Sequence, residues 1–211
     1  MLDLPRLGLF VGAAVALLLT PGPAVLYIVT RSIERGRRAG LVSVLGICTG
    51  TMFHVAAAAL GLSALLVSSA SAFVMVKYLG ALYLIALGVQ TLTRRDAPAA
   101  ANDGTDSDGL RRVFAQGAMV NVLNPHTALF FFAFLPQFVN HSKGAVPLQM
   151  VSLGLLFVLL SMITDAGWAL AAAKAGERVR RYPPFARGQR YVTGGALIGL
   201  GAAAALAGSR K

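Results

Sequence analysis

Two proline motifs and one acid carry most of the chemistry that this sequence can offer. Thr20-Pro21-Gly22-Pro23 sits in the middle of residues 7–30, a stretch without a single charge. Asn124-Pro125 sits inside a second apolar stretch, and Asp165 is the one acidic residue well inside a third. Pro21 and Pro23 have no N–H to offer the carbonyls of Leu17 and Leu19, and their rings clash with them; Pro125 does the same to Asn121. Thr20 and Asn124 are natural helix caps and Pro21 and Pro125 natural first helical residues, so a new half-helix can begin at each break. At mid-membrane depth, backbone groups without partners survive only where they line an enclosed or watery cavity. Each half-helix N-terminus carries roughly half a positive charge, and two that converge could hold an anionic group such as a carboxylate. The expected substrate-binding residues are therefore Thr20, Pro21, Gly22, Pro23, Asn124, Pro125 and Asp165. An ordinary proline kink is the plainer alternative for either motif alone.

An ionised carboxylate at Asp165 is costly in an apolar span, so it should face the interior, find a partner or hold a proton. There it could alternate between a proton and a substrate ammonium, which would couple a gradient to export; a structural hydrogen bond between helices is the alternative. His54 lies in another apolar span at a depth that could approximate that of Asp165. Histidine titrates near neutral pH, which makes it a second candidate for proton coupling beside the reading as a satisfied interior histidine. Gly46 and Gly50, one turn apart beside it, fit close helix packing. Glu34 among Arg31 and Arg35–Arg38 is either a cytoplasmic gate or a plain loop ion pair. Trp168 and Phe130 to Phe132 read as packing, and His126 stands just past the second break.

These groups need a membrane scaffold. Of the 211 residues 56% are hydrophobic and 13% charged, where a soluble domain carries about a quarter charged. The fold class expected is all-α: a polytopic membrane protein with six transmembrane helices near 7–29, 41–67, 72–92, 113–139, 146–173 and 191–208. Ser68-Ser69-Ala70-Ser71 is the expected turn between spans two and three. The formal charge of +11 is spread in short clusters between apolar spans, which suits orientation and anionic lipid rather than nucleic acid. Segments 31–38, 94–112 and 174–190 hold 14 of the 19 Lys and Arg. The positive-inside rule then places the loops after helices one, three and five in the cytoplasm. A cleaved signal peptide is not expected, since only Arg6 precedes the first apolar run and Asp3 lies beside it. The single cysteine, Cys48, excludes an intramolecular disulfide and a cysteine-based metal site.

An internal repeat sets the architecture. Lys77-Tyr78-Leu79-Gly80-Ala81, continuing to Leu84-Ile85-Ala86-Leu87-Gly88, recurs as Arg190-Tyr191-Val192-Thr193-Gly194, continuing to Leu197-Ile198-Gly199-Leu200-Gly201. Thr20-Pro21 corresponds likewise to Asn124-Pro125, each followed by an alanine, Ala24 and Ala128. The chain reads as one transporter domain, 1–211, made of repeat one (1–93), a cytoplasmic linker (94–112) and repeat two (113–211). Three helices per half make the halves inverted in the membrane, with helices one and four broken at their proline motifs. Matched broken helices in inverted halves point to a transporter's central site. Lys77 and Arg190 are expected to snorkel to opposite interfaces.

Taken together, these residues resemble the LysE/RhtB superfamily of amino-acid exporters over nearly the whole chain. The resemblance rests on Thr20-Pro21-Gly22-Pro23, Arg35-Gly36-Arg37-Arg38-Ala39-Gly40, the run from Lys77 to Leu84, Asn121 with Asn124-Pro125, Phe134-Leu135-Pro136-Gln137-Phe138, and Asp165. It adds Asn121 to the substrate-binding set. It implies proton-driven efflux of amino acids or their derivatives, such as threonine, homoserine, homoserine lactone, lysine or arginine, across a bacterial inner membrane. The chain departs from the family at His126, where Lys is common. One buried acid suits one ammonium, which favours a small neutral amino acid over a basic one. Export of a metal cation or another metabolite is the second reading, weakened by the lack of clustered ligands. An intramembrane enzyme would have only His54 and Asp165 to work with, and no enzyme is expected. No cofactor is expected; the partners are a small-molecule substrate, protons and the lipid bilayer, with a homo-oligomer left open.

Overall fold

A computed structural model of the chain describes residues 4–60, 70–93, 107–140 and 145–180, together with Tyr191, Gly195, Ile198, Gly199 and Ala202. All regular structure among them is helical: α1 (Leu4–Leu19), α2 (Pro23–Ala59), α3 (Ala70–Thr93), α4 (Ser107–Val122), α5 (Pro125–Leu129) and α6 (Val146–Arg180). A π-helical turn (Phe130–Phe134) and a 3-10 turn (Leu135–Phe138) continue α5. Among the described residues two helices can cross a membrane by length and composition, Pro23–Ala59 and Val146–Glu177. The pair Asp108–Val122 and Pro125–Phe138, bent by 48° at the second proline motif, makes a third candidate.

A straight helix of 37 residues would be about 55 Å long, well beyond a bilayer core of roughly 30 Å. α2 avoids this by folding at Gly36, whose φ of 80° and ψ of −173° belong to a region essentially reserved for glycine. Two arms result, 23–35 and 37–59. A Cβ on Gly40 would meet the side chain of Ser32, and one on Gly117 would lie 3.3 Å from the Tyr27 ring and 3.1 Å from the Ser43 carbonyl. Such contacts are impossible along one straight helix and show the arms side by side. The basic segment 31–38 is thus no extended loop: it is helical on both sides of one glycine, and Arg31 is buried. Residues 107–112 of the expected linker likewise belong to α4, and Lys174 to Arg180 to α6.

Arm 37–59 is the central post. α4 lies parallel to it and touches it through glycines: a Cβ on Gly46 would strike the Phe114 carbonyl, and one on Gly50 would lie 2.7 Å from the Ala118 carbonyl and 2.8 Å from Asn121 Cβ. The expectation of close packing at Gly46 and Gly50 holds. α6 runs antiparallel on the other side, with Gly154 against Val55, Ala169 against Gly40 and Gly176 against Ile33. Two apolar clusters form, one around Phe10, Phe130, Phe131, Val55 and Phe157, the other around Tyr27, Ile28, Val44, Ile47 and Ala169. Phe131 is fully buried, in keeping with a packing role. Outward faces carry Leu45, Met52, Phe53, Leu155, Leu159, Met162 and Ile163, the inside-out pattern of helices solvated by lipid.

Of the expected turn, Ser68 and Ser69 lie outside the described residues, whereas Ala70 and Ser71 open α3. The second copy of the repeated segment lies outside them too, apart from Tyr191, Ile198 and Gly199, which are helical, as do Arg190 and the side chain of Lys77.

Candidate functional site

The two breaks share their local construction. Before each, an N–H closes a tight turn onto the carbonyl three residues back, Thr20 to Leu17 and Asn124 to Asn121, both at 3.1 Å. After each, a cap carbonyl accepts the first helical bond: Gly22 from Leu26 and Asn124 from Ala128, both at 3.0 Å. The caps themselves differ. Asn124 accepts the His126 N–H on its side-chain oxygen at 3.0 Å, with Pro125 at the first helical position. At the first break the cap is Gly22 and the first helical residue Pro23, not Thr20 and Pro21. Thr20 instead donates its hydroxyl back to the Ala16 carbonyl at 2.9 Å, and the Leu17 carbonyl expected to be orphaned is met by Thr20 itself. Gly22 has no side chain to cap with, so the first-turn N–H groups of Ala24 and Val25 are left to a partner from outside the helix.

A partly open cavity of about 50 Å³ with both polar and apolar walls lies where the breaks meet α6. From the first break it is lined by Thr20, Gly22, Ala24 and Val25; from the second by Asn121, Asn124, His126 and Thr127; and from α6 by Ser161 and Asp165. Thr51 of the central post adds a hydroxyl, and Leu17, Leu18, Ile47 and Phe157 supply apolar wall. The structure thus brings five of the sequence-derived residues together, Thr20, Gly22, Asn121, Asn124 and Asp165. Pro21, Pro23 and Pro125 shape the breaks without lining the cavity, and His54 stands outside it.

Asp165 is 2% exposed. Its Oδ2 accepts the Ser161 hydroxyl at 2.7 Å; its other oxygen has no hydrogen-bond partner among the described residues. Asn121 is the hub of the second break. Its amide donates to the Ile47 carbonyl at 2.9 Å and to Thr51 Oγ1 at 2.8 Å, while its oxygen accepts from Thr127 Oγ1 at 2.9 Å. The carbonyl of Asn121, which Pro125 cannot serve, lies 2.9 Å from His54 Nε2. That acceptor requires the proton on Nε2, and the ring stacks on Phe131 at 6.0 Å. His54 therefore props the break.

A second polar group lies farther along the first arm of α2. Arg31 Nη1 pairs with Glu34 at 2.7 Å, Nη2 reaches Gln116 at 3.3 Å, and the guanidinium carbon lies 5.2 Å from the centre of the Tyr27 ring. Tyr27 donates to the Val113 carbonyl at 2.8 Å. Together they bolt the first arm of α2 to α4. Sequence reading missed Ser161, Thr51, Thr127 and Gln116. Ser161 had a signal, one helical turn before Asp165, whereas Gln116 meets Arg31 across 85 residues and had none. The π turn at Phe130–Phe134, a feature often found at functional sites, was also not foreseen.

The chain matches the sequence model of a family described as LysE type translocator over residues 15–208. It is 29% identical to an uncharacterized membrane protein of Bacillus subtilis over 91% of this chain and 94% of that protein. A homoserine/homoserine lactone efflux protein of Salmonella typhimurium is 30% identical, covering 74% of this chain and 75% of its own length. An uncharacterized membrane protein of Pseudomonas aeruginosa is 28% identical over 94% of this chain and 96% of its own. No solved structure matches the chain.

Proposed function

The chain belongs to the LysE type translocator family, a membrane transporter rather than an enzyme, and on that premise we propose that it exports amino acids across the bacterial inner membrane, driven by the proton gradient. Small neutral amino acids such as threonine and homoserine, or their derivatives, are the favoured substrates. The efflux relatives at about 30% identity support amino-acid export. The observation that carries the reading is the convergence of both helix breaks and Asp165 on one cavity. The Ala24 and Val25 N–H groups at the positive end of α2 receive the substrate carboxylate. The uncommitted oxygen of Asp165 receives the ammonium. With one carboxylate on the cavity wall, a second cationic group would go unmatched, which disfavours basic amino acids.

The proposed architecture is six spans in two inverted repeats, 1–93 and 113–211, with the loops after helices one, three and five in the cytoplasm. The folded-back arms of α2 support it, since they turn one long helix into two passes. Arg31, Glu34, Gln116 and Tyr27 then form the cytoplasmic seal, about 12 Å beyond Pro23 along the helix. Opening it admits the amino acid to ionised Asp165. After the switch, a proton from outside neutralises Asp165, the ammonium loses its counter-charge, and the substrate leaves. The proton then departs to the cytoplasm, one inward for each amino acid outward. His54 takes part by holding the Asn121 carbonyl, and stands second to Asp165 as a coupling group.

Inside-out vesicles bearing the protein test this. With an acidic interior imposed, labelled threonine or homoserine should accumulate and lysine should not. Absence of uptake of every amino acid offered, with intact protein in the membrane, would overturn the reading.

A further inference from the structure

Beside this cavity lies a more open groove of about 500 Å³ that shares Leu17, Thr20 and His126 with it. Ala13 and Ala16, on the same face of α1 as Leu17 and Thr20, form one wall; Leu129, Phe130 and Phe134 form the other. The two compartments meet at Leu17, Thr20 and His126. The first sets Asp165, Ser161, Asn121 and Asn124 among apolar Leu18, Val25, Ile47 and Phe157; beyond the shared residues the second is wholly apolar. His126 lies over the first break, its Nδ1 3.4 Å from where a Cβ on Gly22 would stand.

The volumes decide what each compartment can hold. A cavity of about 50 Å³ has room for roughly three or four water-sized groups. That is enough for an ammonium and part of a carboxylate, and too little for a side chain as well. The adjoining groove beyond Thr20 and His126 is ten times larger, and removing apolar groups from water there is favourable in proportion to their area.

We infer that the groove is the side-chain compartment of the amino-acid site, entered between Thr20 and His126, and that it extends the substrate range to neutral amino acids with apolar side chains of methionine and leucine size. The inference rests on the amino-acid export proposed above. Backbone-linked charges stay with Asp165 and the α2 N-terminus, while the side chain lies along Ala13 and Ala16 against Phe130 and Phe134.

The test is a homologous series, 2-aminobutyrate, norvaline and norleucine, taken up by inside-out vesicles bearing the full chain. Each added methylene should lower the half-saturation concentration about fourfold, roughly 16-fold across the series. Ala16→Leu, which fills the groove from the α1 side, should shrink the norleucine-to-aminobutyrate ratio to about fourfold or less, and Ala13→Leu, one turn earlier, should act in the same sense. All three carried with equal half-saturation by the wild type would overturn the inference and leave the groove to a lipid acyl chain, with export intact. A steep series unchanged in both variants would overturn it by placing the side chain elsewhere. Uptake of none of the three while threonine or homoserine is still carried would overturn the groove and leave export standing, whereas loss of those as well would overturn both.

Discussion

Asn121 is where the geometry makes its sharpest quantitative claim. Three short hydrogen bonds leave its side chain, two to the central arm of α2 and one to Thr127 beyond the break. Hydrogen bonds between membrane helices average about 0.6 kcal/mol and reach about 1.7, because the unfolded chain in the bilayer also finds partners. Asn121→Ala should therefore lower stability by about 2 kcal/mol. The loss is limited on one side, since the Ile47 carbonyl still accepts the Thr51 hydroxyl at 3.1 Å. Thr51→Val removes one partner of the same network, so a double-mutant cycle isolates the Asn121–Thr51 bond. Unfolding of the purified protein in mixed micelles, followed by titration with a denaturing detergent, gives the four stabilities. The coupling should fall between about 0.6 and 1.7 kcal/mol. A coupling within error of zero, with both single variants folded, would refute the claim that this bond holds α4 to α2 at the break.

Two further substitutions probe the scaffold by the same unfolding measurement. Gly36→Ala forces a side chain into a backbone conformation with φ of 80° and should cost about 1–3 kcal/mol; an unchanged stability would mean the arms of α2 do not need that fold-back. Glu34→Gln leaves the buried Arg31 charge without its counter-charge and should cost about 2 kcal/mol. Adding Arg31→Met to it should recover part of that loss, and an additive further loss would contradict the buried-charge account.

Much of this was legible because it is local. Pro21, Pro23 and Pro125 break helices through their own rings, Gly46 and Gly50 announce a close approach by their spacing, and Asp165 stands out as a lone acid in an apolar run. What was not legible depends on distant partners. With two prolines in competition, the sequence pattern favours a cap at Thr20, yet the chain restarts at Gly22 and Pro23. Residues 31–38 look like a loop because they are charged, but Arg, Glu and Ser tolerate a helix, and Arg31 is accommodated indoors by Glu34 and by Gln116, far away in sequence. His54 matches Asp165 in depth, but its bond to the Asn121 carbonyl depends on a distant part of the chain. The linker reading of 107–112 failed for a similar reason, since Arg111 and Arg112 are helix formers that extend α4 before its apolar part begins.

The central claim is that Asp165 holds the substrate ammonium and the coupling proton in turn. The direct measurement is uptake by inside-out vesicles of wild type, Asp165→Asn and Asp165→Glu, each with and without an acidic interior, at matched amounts of folded protein. The account predicts gradient-driven accumulation by wild type, its loss in Asp165→Asn, and partial retention in Asp165→Glu, which keeps an ionisable carboxyl near the same place. Accumulation by Asp165→Asn equal to that of wild type would contradict it.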